Sequence, residues 1–223
     1  MTHFERLSSN LVLAVCTLDD GQAPLLGGEA ALLHGSTRSR IKEFTAGRCM
    51  ARAAMNLLGI RPQEILQGPG GEPLFPADVC GSISHSASVA AALVGSQSTL
   101  IAVGIDVNDG RPIGALAALD VTWARETRLL MHLGICADEA AAHNFAFSAK
   151  EAIYKCQYHV TNYDSLHFHQ VRLVAPTSGS ADVLSVAGWR VPQKIAATLA
   201  RVQVNLKVIC GVEIAVATYS TIE

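Results

Sequence analysis

In FAFSAKEAIYKCQ, residues 145–157, Lys150, Glu151 and Lys155 fall around one turn of a helix predicted over 147–157. Ser148 and Glu151 fit the S-x-x-E capping box, in which hydroxyl and carboxylate satisfy the first orphan N–H groups of a helix. Glu151 and Lys155 are also an i,i+4 pair in the favourable order. The cluster is therefore either a solvated helix face or a carboxylate flanked by two ammonium groups for a phosphorylated substrate. The same stretch echoes EFTAGRCMARAAM, residues 43–55, with Phe44-Thr45-Ala46-Gly47-Arg48 lying over Phe147-Ser148-Ala149-Lys150-Glu151. The echo predicts an α+β fold of two similar, pseudo-duplicated lobes, residues 1–103 and 104–223, with the echoed helices facing a common cleft.

Composition bounds the rest. A chain of 223 residues, 50% hydrophobic and 16% charged, builds one large domain or two small ones. A net charge of −2 lacks the basic excess of a nucleic-acid binder. Six cysteines stand singly, with no C-x-x-C, as reduced thiols of a cytosolic chain do. The apolar run LVLAVC (11–16) is too short for a secretory signal, and no stretch approaches the roughly 18 apolar residues of a membrane span. The expectation is a soluble, cytoplasmic protein without membrane or nucleic-acid partners.

Local pattern places the elements. Residues 11–16, 89–95, 100–107, 168–174, 201–209 and 212–219 are expected strands. Residues 40–58 and 123–133 are expected helices, the first closed by Gly59. QGPGGEPLFP (67–76) is expected to be loop throughout, and 111–119 receives no assignment.

Three further clusters carry chemistry. GSISHS (81–86) crowds Ser82, Ser84, His85 and Ser86 onto a turn entering a strand, either a donor set that suits an anion or serines satisfying the turn beside a core histidine. A Ser–His nucleophile pair is disfavoured, since adjacent residues of an extended chain point to opposite faces. In VGIDVND (103–109), Asp106 and Asn108 share a strand side and suit a hard cation such as Mg²⁺, or they simply end a strand. Arg48 and Arg52 share a helix face with Arg40 two turns earlier, either as a phosphate-binding surface or as a solvated one. His167 and His169 alternate in HFH and are expected to be exposed. Arg125, Arg128 and His132 line one helix face, a docking surface for an acidic partner.

The order of these clusters is informative. GPGGEPLFPADVCGSISHS, then VGIDV, then FSAKEAIYK resembles the three successive motifs of the 4′-phosphopantetheinyl transferases, in the two-lobed class that activates peptide synthetases, polyketide synthases and siderophore assembly lines. FTAGRCMARAAMNLLG resembles the arginine-bearing helix of the siderophore-associated branch. The resemblance covers roughly residues 38–160. It implies an active site in the cleft between the lobes, where a monomer binds coenzyme A and transfers phosphopantetheine to a serine of an apo acyl or peptidyl carrier protein, releasing 3′,5′-ADP. It further implies that Arg40, Arg48, Ser84 and His85 bind the coenzyme and that Lys150 and Lys155 neutralise its pyrophosphate. Asp106, Asn108 and Glu151 would hold Mg²⁺, with Glu151 as base and Lys155 nearest the breaking bond. Two departures stand out: Asn108 replaces the family's second acid, and Gly70 replaces a loop lysine. Asn108 motivates one alternative, a degenerate coenzyme A-binding module; a metal-dependent coenzyme A pyrophosphohydrolase is another.

Overall fold

Leu11–Thr17 (β2) is buried almost throughout, which requires sheet neighbours on both sides and cover on both faces. It pairs antiparallel with Thr2–Ser8 (β1) and with Val89–Ser96 (β6), Val12 opposite Val94 and Ala14 opposite Ala92. Val79–His85 (β5) completes a sheet of order β1-β2-β6-β5. The computed structural model describes residues 1–98, 100–114, 121–176 and 183–220, which divide into two compact units, Met1–Val103 and Gly104–Glu223. Both are mixed α and β.

In the first unit, Arg38–Leu57 (α1) packs on β6, β2 and β5. Thr37 caps it, its hydroxyl accepting from Arg40 N at 3.2 Å. Ala46, Met50, Ala51, Ala54 and Met55 supply its buried face, and these small and flexible residues let the helix lie close to the sheet. The stretch 67–76 is not loop throughout. Leu66–Gln67 (β3) pairs with Pro73–Leu74 (β4), so the glycines and prolines build a hairpin.

In the second unit, Leu100–Asn108 (β7), Val171–Val174 (β8), Val183–Gly188 (β9), Val202–Ile209 (β10) and Val212–Ser220 (β11) form a sheet of order β7-β11-β10-β9-β8. Ala124–His132 (α2), Glu139–Thr161 (α3) and Gln193–Leu199 (α4) join it, with α3 against β11 and β10. Gly104 fixes the approach of β7 to α3. A Cβ there would lie 1.9 Å from the Ala152 carbonyl and 2.8 Å from Cys156 N, so no other residue fits without moving backbone.

Several expectations need correction. The helix predicted over 147–157 begins eight residues earlier, where the Asp138 carboxylate accepts from Ala141 N at 2.8 Å. Ser148 and Glu151 are therefore mid-helix residues, and the capping box does not exist. Ser148 Oγ is buried with no hydrogen-bond partner. Phe168–Gln170 is a turn of 3-10 helix, so His167 and His169 do not alternate on a strand. Strands β1, β5 and β9, helix α4 and the 3-10 turn Gly27–Leu33 were not anticipated, and Ser82, Ser84 and His85 lie within β5 rather than on a turn. Of the unassigned stretch 111–119, residues 115–119 lie outside the described ones.

Candidate active site

Two residue constellations emerge, one in each unit. In the first, Arg40, Glu43, Phe44 and Arg48 of α1, Ile83 and His85 of β5, and Gln67, Gly71 and Pro73 of the hairpin line a pocket of about 120 Å³. Arg40 Nη1 lies 3.2 Å from His85 Nε2, and both flank the Glu43 carboxylate at 3.8 and 3.6 Å. Arg48 is only 6% exposed. Its Nε donates to the Ile65 carbonyl at 2.9 Å, and its guanidinium lies 3.3 Å from the Phe44 ring centroid. Burial, with help from Arg40 and Arg52, pulls Arg48 down to about 10 against the support of Glu29. It stays charged at neutral pH, at a cost that an anion in the pocket would offset.

Arg48 and Arg52 are thus not a solvated face, whereas Arg40 is exposed. Arg52, though, serves the fold. Its Nη1 donates to both Glu29 oxygens at 2.9 and 2.8 Å, in a pair that is almost wholly buried. The same carboxylate accepts from Ile65 N at 2.8 Å and Leu26 N at 2.9 Å. Ile65 is consequently held by its N–H to Glu29 and by its carbonyl to Arg48, which anchors the hairpin at the pocket wall. Ser84 is not in that wall. It is buried, whereas His85 beside it is exposed, as alternation along β5 requires. The expectation that Ser84 joins Arg40, Arg48 and His85 at this pocket is corrected accordingly.

In the second unit, β7 delivers Asp106 to one turn of α3. Lys155 Nζ donates to Asp106 Oδ1 at 2.8 Å and to the Ile105 carbonyl at 2.9 Å. Burial raises the Glu151 carboxyl above its ordinary 4.5; Lys155 opposes that rise and Asp106 adds to it. Glu151, Tyr154, Asp164, Leu166, His167, Phe168 and Val171, with Lys150, line a cavity of about 230 Å³. Tyr154 and Asp164 escaped the sequence reading. Tyr154 was findable, lying at i+3 from Glu151 on the same helix face.

Lys150 departs from its expected role. It is 1% exposed, and its Nζ donates to the Val121 carbonyl at 2.7 Å and pairs with Glu126 at 2.7 Å. Glu126 also accepts from Trp123 N at 2.9 Å and Leu173 N at 3.0 Å. The amine is committed to a buried hub and does not present its charge to a pyrophosphate. Asn108 is likewise occupied. Its Oδ1 accepts from Gly110 N at 2.9 Å and its Nδ2 donates to the Arg111 carbonyl at 3.2 Å, closing a local turn. No group of three His, Cys, Asp or Glu residues among the described ones is placed to hold a metal.

Residues 28–95, which include the arginine helix and the hairpin pocket, match the family model of the 4′-phosphopantetheinyl transferase N-terminal domain. The chain is similar in sequence to 4′-phosphopantetheinyl transferases. It is 32% identical over 167 residues to the 4′-phosphopantetheinyl transferase Svp of Streptomyces mobaraensis, covering 73% of this chain and 66% of that protein. It is 36% identical over 137 residues to the 4′-phosphopantetheinyl transferase PptT of Mycobacterium tuberculosis, covering 60% and 58%. Enterobactin synthase component D of Escherichia coli is 27% identical over 176 residues, covering 76% of this chain and 81% of its own. The matches to Svp and PptT span less than two thirds of those proteins' lengths. No helix of the described residues is long and apolar enough to cross a membrane.

Proposed function

We propose that this protein transfers the 4′-phosphopantetheine group of coenzyme A to a serine of an apo acyl or peptidyl carrier protein, releasing 3′,5′-ADP. The observation that carries the reading is the cluster of Asp106, Glu151 and Lys155, in which one half-buried carboxyl with a raised affinity for protons stands beside a paired carboxylate and ammonium. The serine oxygen attacks the pantetheine-side phosphorus of the pyrophosphate, and the bond to the bridging oxygen breaks. That oxygen leaves with 3′,5′-ADP. Glu151, directly or through a water, takes the serine proton. Lys155, paired with Asp106 but with 26% of its side chain exposed where Lys150 has none, is the cation that meets the pyrophosphate. Arg40, Arg48 and His85 bind the phosphates of the nucleotide part.

Asp106 and Glu151, two carboxylates beside one another on β7 and α3, are the oxygen donors that would hold a Mg²⁺ ion. When bound, the ion would neutralise charge on the pyrophosphate oxygens. Asn108, folded onto its own turn, would contribute a single amide oxygen or none. The natural setting is the cytoplasm, where a monomer would prime assembly lines of secondary metabolism such as siderophore synthesis.

We further propose that the two units are variants of one plan. Each carries a short helical turn whose Glu caps its own N-terminus, accepts one remote backbone N–H and buries a cation of the long helix. Glu29 does so with Ile65 N and Arg52, and Glu126 with Leu173 N and Lys150.

The decisive experiment incubates the protein with coenzyme A, Mg²⁺ and a panel of apo carrier proteins, read by mass. Addition of one phosphopantetheine supports the reading. Coenzyme A binding without transfer would point instead to a binding module, the alternative that Asn108 favours. Release of 3′,5′-ADP without an acceptor would point to a pyrophosphohydrolase.

A further inference from the structure

Two tryptophans of the second unit stand in solvent, Trp123 at 38% and Trp189 at 44% exposure. Arg172 stacks on both: its guanidinium lies 4.9 Å from the Trp123 ring centroid and 4.2 Å from that of Trp189. Arg190 approaches the Trp189 ring at 5.7 Å. The partners come from three places, the N-cap of α2, the edge strand β8 and the turn after β9. Backbone bonds fix that turn, with Trp189 N donating to the Gln170 carbonyl at 2.7 Å and Gln170 Nε2 donating to the Arg190 carbonyl at 3.0 Å. The stack is therefore held in place before any partner arrives.

Its charge is one-sided. Arg125 and Arg128 are exposed on α2, while the acid of that helix turn, Glu126, is buried against Lys150. Among the described residues, none of Arg125, Arg128, Arg172 and Arg190 takes part in a salt bridge. Arg172 Nε is buried without a hydrogen-bond partner. Tryptophan and arginine dominate protein–protein hot spots, because a rigid ring and a weakly hydrated cation give large contact area at little ordering cost. Val171, which precedes Arg172 on β8 and points to the opposite face of the strand, lines the cavity that Glu151 lines.

We infer that the Trp123–Arg172–Trp189 stack and the arginine face of α2 receive an acidic flank of the acceptor protein, an inference that rests on the transferase reading. Four guanidiniums outside any salt bridge among the described residues, two of them stacked on exposed rings, match carboxylates on a folded surface, which steers the encounter and fixes its orientation.

The test compares the wild type with Arg125→Glu/Arg128→Glu and with Trp189→Ala, using recombinant apo acyl and apo peptidyl carrier proteins. Both variants are expected to raise the KM for the carrier about tenfold or more, the scale of a lost hot-spot contact, with coenzyme A affinity and kcat unchanged. Exchanging a carrier acid for lysine should partly rescue the charge-reversed variant. If the wild type modifies a carrier and neither variant changes its KM, the docking surface is refuted while the transferase reading stands. If the wild type modifies neither carrier, the transferase reading fails and this one with it. If the variants instead abolish a dimer seen by sedimentation, with carrier KM unmoved, the surface belongs to a second copy of the chain and the inference is overturned.

Discussion

Lys155 Nζ lies 2.8 Å from Asp106 Oδ1, joining a helix and a strand that meet only because Gly104 lets their backbones touch. Around that ion pair Glu151 is half-buried with a raised proton affinity, so its charge at neutral pH is a cost to the fold.

Glu151→Gln should therefore separate activity from stability. Turnover is expected to fall by a factor on the order of 10² or more, as for a lost general base, with coenzyme A still bound. In metal-free buffer at neutral pH the variant should melt no lower than the wild type. The sign follows from the direction of the shift. A carboxyl whose folded pKa lies above its unfolded value stabilises the fold in acid and loses that contribution as pH rises through the folded pKa. The wild type should accordingly gain stability relative to the variant on acidification. Near-normal turnover would remove Glu151 from both of its proposed roles.

Arg48→Ala should weaken coenzyme A more than 3′-dephospho-coenzyme A. A charge-assisted hydrogen bond is worth roughly 1.5–3 kcal/mol, or about ten- to over a hundredfold in affinity. Equal loss for both ligands, measured by calorimetry, would mean that Arg48 acts only through the Ile65 carbonyl and the hairpin.

Lys150→Met leaves the Glu126 carboxylate buried without its cation. Breaking such a pair costs about 3–5 kcal/mol, and urea denaturation should show that loss. Adding Glu126→Gln to it should recover a large part. If Lys150→Met keeps full stability but loses coenzyme A affinity, the amine serves the ligand after all.

The helix around Glu151 was legible because its aliphatic and charged residues recur with helical period, and Asp106 because an apolar strand ends on it. The start of α3 was not, because AAAHNFAF carries no turn signal, although Asp138 offers a cap. That error produced the false capping role for Ser148. Lys150 was misjudged for a different reason: Glu126 is remote in sequence, and pairing across a fold leaves no local periodicity. Ser84 was legible in principle, since strand alternation separates it from His85. The buried acids Glu29 and Glu126 gave one faint sign, an acid three residues into a short helical turn.

Asn108→Glu should tighten Mg²⁺ binding to the free protein, and the gain should shrink once coenzyme A supplies pyrophosphate oxygens. It also removes the Asx turn onto Gly110 N, so some loss of thermal stability should accompany it. Calorimetric titration of Mg²⁺ into both proteins, with and without coenzyme A, checks this. Equal Mg²⁺ affinity of the wild type in the two conditions would mean that Asn108 is no deficit.

The contact at Gly104 has a mechanical meaning. Where side chains separate a helix from a strand, rotamer changes let the two slide; here backbone abuts backbone, with no such cushion. A small roll of α3 would drive the Ala152 carbonyl into β7, so the turn bearing Glu151 and Lys155 is geared to the strand bearing Asp106. The acid–cation–acid triangle is then set by the covalent geometry of two main chains, and adjusting it means moving a whole element rather than a side chain.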